Sequence, residues 1–518
     1  MFIGEARCAV NKGWVSAVGQ LLKVFLFVFV VMLFISKDSY LHDLPNHNDP
    51  SWFFMCGKAW VNGLTPYVDF ADSKGPLLWL VYALGYMMTP HSYVGVFWLS
   101  CIAWTITLFL AWRSAAMFLK NGGAAFVAML AVALAGLQPL VHNETRCEDF
   151  AMPFAAYVVY ALCLSAKHTE WNWRVGMGMG LSITATAFMK YNITLMLLPF
   201  VLLAWAVAMR QCRVPFARLL RQFVGGCMVM ALPFAAYFLA KGNIVDFVNE
   251  YLFVTLRTTG NTGVVVNTIH SILSPAGVYA ILLFAFSAIS MARMLPCCNR
   301  AALLCHALFF GLCSINSRPY YFTIYAPFVV FVGIAVVRVC GAFGGKHFAS
   351  ASAVVAAALL ISSNLYVHDL RHADYGDFFT QNNDARREYY AVECMVAQVP
   401  QAQIVVFSGY NAGVCSDALP ACRYWATQWG TTTGMVRQQI EACTTGKADF
   451  AFVPSGCPDI IAEIKNAGWY AYDFTEGPYK FLLMSRRWLG KKHDCCRVTN
   501  MDVLLKRQPV FCKSHNIK

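Results

Sequence analysis

The sequence predicts a mainly α-helical, polytopic membrane protein: a bundle of about eleven transmembrane helices followed by a small α/β domain. Of the 518 residues, 58% are hydrophobic and only 13% are charged, and the mean hydropathy is +0.52. In soluble domains charged residues make up about a quarter of the chain. Residues 1–366 hold 12 of the 27 acids, and the remaining residues hold 15. This uneven distribution predicts a membrane domain over 1–366 and a soluble domain over 367–518.

Eleven apolar segments are long enough, or nearly so, to cross a hydrocarbon core about 30 Å thick. They lie near residues 15–36, 93–111, 123–141, 151–166, 175–189, 192–208, 223–240, 271–291, 301–316, 319–337 and 347–366. The first segment contains Lys23 and is similar to a secretory signal peptide, but no small-residue cleavage site follows it, which favours an uncleaved helix. The apolar segment Pro76–Met88 is short and follows an acidic loop, so we interpret it as a membrane-hugging helix.

The distribution of basic residues predicts the orientation. If Pro76–Met88 does not cross the bilayer, the cytoplasmic segments carry 14 Lys or Arg and 2 acids. The outer loops then carry 8 Lys or Arg and 10 acids. Because Lys and Arg accumulate on cytoplasmic loops, the N-terminus is predicted to be cytoplasmic and the C-terminal domain extracytoplasmic, in a bacterial inner membrane. The same rule explains the net charge of +13 without a nucleic-acid partner.

The tail alternates between helical and strand periodicity. Helices are predicted near 384–399, 435–443 and 460–467, and strands near 403–407, 449–453, 470–474 and 480–484. Eight of the 20 cysteines lie in this tail, where an oxidising compartment would allow some to pair. The other twelve lie mainly in or beside membrane helices, so cysteine is more simply interpreted as common in this chain. No cysteine or histidine set has zinc spacing.

The loop after the first apolar segment is rich in charge. Five acids and Lys74 lie in it or just before it: Asp38, Asp43, Asp49, Asp69 and Asp72. Ionised groups at a membrane boundary are costly unless they have a function, so this loop is a candidate reaction centre. Asp49 is the best candidate for a general base. It also precedes Pro50, a pattern equally typical of a helix N-cap.

Other residues of this loop are candidates for binding. Lys74 could hold a lipid-linked phosphate at the bilayer surface, although lysines there often merely extend to the interface. Tyr67 is a further substrate-binding candidate. Asp69 and Asp72 could ligate a divalent cation, although two acids three residues apart in a wet loop are more often solvated.

A second outer loop carries Arg146, Glu148 and Asp149 directly before a predicted helix. The helix dipole by itself favours an acid at this position. Lys190 and Arg318 add positive charge on the same predicted face and could contact phosphate. Two acidic loops that meet above an apolar bundle predict a site with Asp149 as a second catalytic residue. Arg146, Glu148, Lys190 and Arg318 are its predicted substrate contacts.

An ordered set of motifs runs through this chain: Asp49-Pro50, Gly63 to Phe70, Lys74 to Leu78, Arg146 to Asp149, Lys190-Tyr191 and Arg318 to Pro327. The set resembles the GT-C superfamily of integral-membrane glycosyltransferases, in the branch of protein O-mannosyltransferases and lipid A aminoarabinose transferases. The resemblance covers roughly residues 20–340. More loosely it includes the tail, through Phe407 to Tyr410 and Cys422 to Tyr424.

The resemblance implies that Asp49 is the base acting on the acceptor, that Asp149 is a second active-site acid, and that Lys74 contacts the donor phosphate. Pro50 and Ser73 stand where many members of this branch have acids, so metal dependence and acceptor type do not transfer with it.

The predicted function is an inverting transfer of one sugar from a polyprenyl-phosphate donor to a lipid, glycan or protein acceptor on the outer face. The predicted cytoplasmic loops are about 15 residues or shorter and lack a glycine-rich phosphate loop, which argues against a nucleotide-sugar donor. A transporter or flippase of a lipid-linked saccharide is the alternative. It would place charges at mid-membrane on discontinuous helices, whereas nearly all charges here lie at loop ends. An outer ligand-binding scaffold would not need paired acidic loops.

Overall fold

The computed structural model describes residues 2–41, 48–138, 145–167, 170–254, 272–273, 275–315, 319–340, 346–371, 391–407, 413–427, 432–476 and 479–490. The chain divides into two compact units. One, the helical unit, comprises residues 1–36, 98–234 and 262–367. The other, the mixed unit, comprises residues 37–97, 235–261 and 368–518.

The helical unit is formed by long apolar helices. The helices wholly or mainly in it are Phe2–Ile35, Val94–Ala116, Gly122–Gly136, Cys147–Lys167, Trp173–Ala187, Tyr191–Gln211, Phe216–Ala240, Pro275–Met294, Asn299–Ile315, Val330–Cys340 and Lys346–Arg371, with a 3₁₀ stretch over Pro319–Val329. Each of the eleven predicted apolar segments falls on one of these elements. Among the described residues, eight helices are long and apolar enough to cross a membrane. The predicted multi-pass membrane protein is therefore confirmed.

Small residues allow two of these helices to approach closely. A Cβ on Gly180 would lie 1.9 Å from the carbonyl oxygen of Phe223, and a Cβ on Gly226 would lie 1.9 Å from that of Met177. Neither position has room for a side chain, so the helices Trp173–Ala187 and Phe216–Ala240 pack backbone against backbone. Glycine contacts of this kind are typical of helix pairs in membranes, where dispersion and close packing drive association.

In the mixed unit, helices Asn48–Val61 and Pro76–Met88 pack against each other. Their backbones meet at Gly57, where a Cβ would lie 2.5 Å from the backbone nitrogen of Ala83. The 13 residues of Pro76–Met88 span about 20 Å at 1.5 Å per residue, less than the ~30 Å needed to cross a bilayer. Further along the chain, the short helix Ile244–Phe247 continues directly as a π-helix over Val248–Val254.

The mixed unit also contains a five-stranded sheet. Its strands are β1 Gln403–Val406, β2 Leu419–Pro420, β3 Phe450–Pro454, β4 Tyr470–Glu476 and β5 Tyr479–Ser485, in the order β2-β1-β3-β5-β4. β1 pairs in parallel with β2 and β3, and β5 pairs antiparallel with β3 and β4. The helices Thr433–Thr444 and Pro458–Asn466 pack on one face, where Val405, Ala451 and Met484 form the buried core.

The four predicted strands and the last two predicted helices of the tail are confirmed. β2 was not predicted, because two residues ending in proline carry no periodic signal. The predicted helix 384–399 lies partly outside the described residues, and residues 391–396 of it are helical. The domain boundary at 366/367 stays a prediction, since the unit that contains the tail also contains residues 37–97 and 235–261.

Candidate active site

Asp149 lies in the first turn of helix Cys147–Lys167 and is 2% exposed. Its Oδ1 accepts a hydrogen bond from the indole Nε1–H of Trp104 at 2.8 Å. Its Oδ2 accepts one from the backbone N–H of Arg146 at 2.8 Å. The second bond is half of a capping box, in which an acid of the first turn satisfies the N–H that precedes the helix. Both carboxylate oxygens of Asp149 are therefore occupied by protein donors.

Glu148 and Lys190 form a buried ion pair in the helical unit. The Lys190 Nζ donates to Glu148 Oε1 at 2.7 Å. The same ammonium lies 4.1 Å from the ring centroid of Tyr321, a distance at which the ring quadrupole attracts a cation. Lys190 directly precedes the helix Tyr191–Gln211, and its backbone N–H donates to Thr186. The carboxylate and the ring together compensate the charge of Lys190.

Asp49 differs from Asp149 in its surroundings. It lies in the first turn of helix Asn48–Val61 and is partly exposed. Within the described part of the chain, its carboxylate makes no hydrogen bond or ion pair. A general base must accept a proton from its substrate, and a carboxylate that binds no protein donor is compatible with that role. The predicted catalytic role of Asp49 stays a prediction.

Lys74 lies at the end of the first-loop segment 65–74. Its Nζ donates to Ser73 Oγ at 3.0 Å and lies 5.5 Å from the ring centroid of Phe53. Ser73 Oγ in turn donates to Asp72 Oδ1 at 3.1 Å, and the Ser73 backbone N–H also donates to this oxygen. The other carboxylate oxygen, Oδ2 of Asp72, is buried without a hydrogen-bond partner in the described residues. A half-buried ammonium and a buried acid thus lie close together.

Tyr67 is fully buried and has a positive φ of 66°. Left-handed backbone is uncommon for a residue with a large side chain and persists only where the surroundings enforce it. The ring packs against Trp79, with ring centroids 4.6 Å apart, and against Phe247 at 5.3 Å. The hydroxyl donates to the backbone oxygen of Lys74 at 3.1 Å. Tyr67 therefore packs inside the segment 65–74, and the predicted substrate contact by its side chain stays a prediction.

The predicted metal ligands differ in environment. Asp69 is exposed, and its Oδ2 accepts from the backbone N–H of Thr65 at 2.6 Å, which closes its own turn. Asp72 is buried. In the described parts of the chain, no group of three or more His, Cys, Asp or Glu residues could hold a metal ion. Metal binding by this pair stays a prediction.

The predicted site residues are distributed over both units. Arg146, Glu148, Asp149 and Lys190 belong to the helical unit, and Asp49, Tyr67, Asp69, Asp72 and Lys74 belong to the mixed unit. Arg318 lies outside the described residues. Within the helical unit the structure places Glu148 against Lys190, and within the mixed unit it places Tyr67 against the Lys74 backbone.

Several contacts of buried aromatic and polar residues were not predictable from the sequence. Trp104 and Tyr321 each lie among several aromatic residues of an apolar helical segment and carry no local signal of their contacts. Lys58 is fully buried and donates to the carbonyl oxygens of Gly413 and Ser416, the latter at 2.8 Å. Burial lowers its pKa to about 8. These partners are more than 350 positions away in the sequence, so no pattern around Lys58 predicts them.

No protein-family profile and no curated protein matches the sequence. Solved structures do match. The chain is similar to ArnT from Cupriavidus metallidurans bound to undecaprenyl phosphate, with a TM-score of 0.55, 14% identity, and coverage of 93% of this chain and 99% of that one. The apo structure of the same ArnT matches with a TM-score of 0.60, 13% identity, and coverage of 92% and 98%. The likeness confirms the predicted fold, a transmembrane helical bundle with a small C-terminal α/β domain, and shows that ArnT has the same fold.

Proposed function

We propose that this protein is a membrane glycosyltransferase that uses a polyprenyl-phosphate-linked sugar. The observation that carries the proposal is the likeness to ArnT over more than 90% of both chains, because that protein binds undecaprenyl phosphate. A lipid-linked donor also suits a multi-pass chain in which apolar helices make up most of the described structure. Such a donor reaches the site through the bilayer and needs only an apolar groove for its tail.

The proposed roles are supported by the environment of each group. Asp49 takes the proton of the acceptor hydroxyl. The acceptor oxygen then attacks the anomeric carbon from the face opposite the phosphate, the bond from that carbon to the phosphate oxygen breaks, and configuration inverts. Polyprenyl phosphate leaves with the bonding electrons, and Lys74 compensates its growing negative charge. Asp149 holds the start of its helix and Trp104, so its contribution to the site is one of position.

The proposed orientation places the segment 65–74, which we call the donor loop, and the C-terminal sheet on the extracytoplasmic face. Its support is the excess of Lys and Arg on the other set of loops, since basic loops remain cytoplasmic. The proposed acceptor is a lipid, glycan or protein on that outer face of a bacterial inner membrane.

The test is an assay of purified protein with a panel of polyprenyl-phosphate sugars, in which released polyprenyl phosphate and the transferred sugar are both measured. We expect transfer from at least one donor, and Asp49→Asn should lower turnover about 10²- to 10⁴-fold, as loss of a general base does. The mutant should keep the thermal midpoint of the wild type. A mutant that retains half of the activity would exclude Asp49 as the base. Movement of the lipid-linked sugar across the bilayer without a new glycosidic bond would assign a flippase instead.

A further inference from the structure

Arg423 lies in the mixed unit just after β2 and contacts three separate acceptors. Its Nη1 donates to Glu250 Oε1 at 3.0 Å, its Nη2 to Asp246 Oδ1 at 3.1 Å, and its Nε to the carbonyl oxygen of Val68 at 3.1 Å. The planar guanidinium presents these donors in a fixed fork, which a flexible ammonium cannot reproduce. One side chain therefore connects the C-terminal sheet region, the helix with Asp246 and the π-helix with Glu250 that continues it, and the donor loop.

Tyr424 completes the contact with Glu250. Its hydroxyl donates to Oε2 at 2.9 Å and lies 3.0 Å from Oε1. Glu250 is buried and lies on the π-helix Val248–Val254, a rare element that is often found at functional sites. Burial, together with the hydrogen bond to Glu250, raises the pKa of Tyr424 to about 12, so the hydroxyl remains a donor. Arg423 and Tyr424 together satisfy a carboxylate that would be costly to bury alone.

The backbone of Arg423 also contacts the donor loop. Its carbonyl oxygen accepts the N–H of Ala71 at 2.8 Å. With the Nε bond to Val68, Arg423 therefore brackets residues 68–71, just before Lys74. A further hydrogen bond fixes the chain just before this stretch, where Asn243 Nδ2 donates to the carbonyl oxygen of Pro66 at 2.9 Å. Tyr67 in this loop has a left-handed backbone conformation, which persists only where fixed surroundings enforce it.

We propose that Arg423 and Tyr424 are positioning residues: they anchor the donor loop to Glu250 and so fix Lys74 where it meets the donor phosphate. This rests on the proposed function for the role of Lys74, but the anchoring itself is a property of the mixed unit. Neither residue touches a reacting atom in this account. Their effect is on how well the loop is preorganised for the phosphate, and preorganisation lowers the cost of binding.

The test uses the full-length protein with Arg423→Ala, Arg423→Lys and Tyr424→Phe. Arg437→Ala is the matched control, because Arg437 is exposed on the helix Thr433–Thr444 of the same sheet region. Each variant is assayed for donor KM and kcat, for binding of undecaprenyl phosphate alone, and for hydrogen exchange of peptides that cover residues 65–74. Tyr424→Phe removes a single hydroxyl and keeps the proposal testable if Arg423→Ala does not fold.

We expect Arg423→Ala to raise the donor KM by at least about 10-fold, the effect of losing hydrogen bonds between charged groups, with a smaller change in kcat. Undecaprenyl phosphate binding should weaken in parallel, and exchange over residues 65–74 should accelerate. Arg423→Lys should recover part of the loss, Tyr424→Phe should have a smaller effect in the same direction, and Arg437→Ala should match the wild type.

Unchanged exchange over residues 65–74 in both Arg423→Ala and Tyr424→Phe would overturn the anchoring. Faster exchange with unchanged undecaprenyl phosphate binding would overturn its connection to the phosphate. If no sugar donor supports transfer at all, the proposed function fails. Hydrogen exchange and lipid-phosphate binding still decide whether Arg423 and Tyr424 anchor the donor loop.

Discussion

Replacing Lys190 by methionine removes one partner of the buried ion pair with Glu148. Lys190 is 7% exposed and Glu148 is 2% exposed, and their charged atoms lie 2.7 Å apart. Once the ammonium is gone, water cannot solvate the remaining carboxylate. Removing one partner of a buried pair typically costs about 3–5 kcal/mol, more than the pair itself contributes, because it leaves an uncompensated charge. The lost contact with the Tyr321 ring adds to this in the same direction.

The assay is the thermal midpoint of purified protein in detergent. A compact unit of more than 150 residues loses roughly 2 °C per kcal/mol, so we expect Lys190→Met to lower the midpoint by about 6–10 °C. The double variant Glu148→Gln with Lys190→Met removes both charges and should recover most of this loss. Lys167→Met is the control, because Lys167 is exposed at the end of the same helix that begins with Glu148.

The double variant decides the interpretation. If the single and double variants have the same midpoint, the two residues are not coupled, and the reasoning from a buried ion pair is wrong. A shift below about 2 °C for Lys190→Met would have the same consequence, because it would mean that water already reaches Glu148.

Three further variants test other parts of the account. Asp149→Asn leaves one acceptor oxygen for two donors, so it should lower the thermal midpoint as well as turnover. Asp49→Asn should lower turnover alone. Equal thermal midpoints for the two variants would contradict the capping role of Asp149. Lys74→Ala should raise the donor KM more than it lowers kcat, and an unchanged KM would count against a phosphate contact. Burial lowers the pKa of Lys58 from 10.5 to about 8, so between these values the unfolded chain binds a proton that the folded chain does not. Stability should therefore rise with pH across this window, by up to about 3 kcal/mol. Lys58→Met should abolish this rise. If the free energy of unfolding of the wild type and of Lys58→Met changes in parallel between about pH 7.5 and 10, the lowered pKa of Lys58 is refuted.

Hydropathy and periodicity predicted most of the fold, because they report burial directly. Apolar length located the transmembrane helices, and the switch from a helical to a strand period located the tail elements. The same signals do not reveal which segments pack together. That residues 37–97 and 235–261 join the tail in one compact unit depends on side-chain contacts such as those of Arg423 and Lys58, whose partners are far away in the sequence.

The sequence indicated which polar residues are candidates for the site, but it did not indicate the role of each one. At Asp49 and at Asp149 the sequence left a structural role at the helix start open beside catalysis, because an acid at a helix start fits both. In the structure their surroundings differ: Asp149 accepts hydrogen bonds from Trp104 and Arg146, whereas Asp49 makes none with the described residues. Tyr67 was a candidate by its place in a motif, yet its ring lies inside an aromatic cluster that no local pattern indicates.

A comparison of two classes of donor shows directly whether the protein takes its sugar from a lipid carrier. Purified protein in liposomes is given either polyprenyl-phosphate sugars or UDP- and GDP-sugars without a lipid carrier, together with a panel of acceptors, and the transferred sugar is measured. Wild-type protein should transfer sugar only from the lipid-linked donors, and Asp49→Asn should lose this activity. Transfer from the free nucleotide sugars alone would contradict a lipid-linked donor.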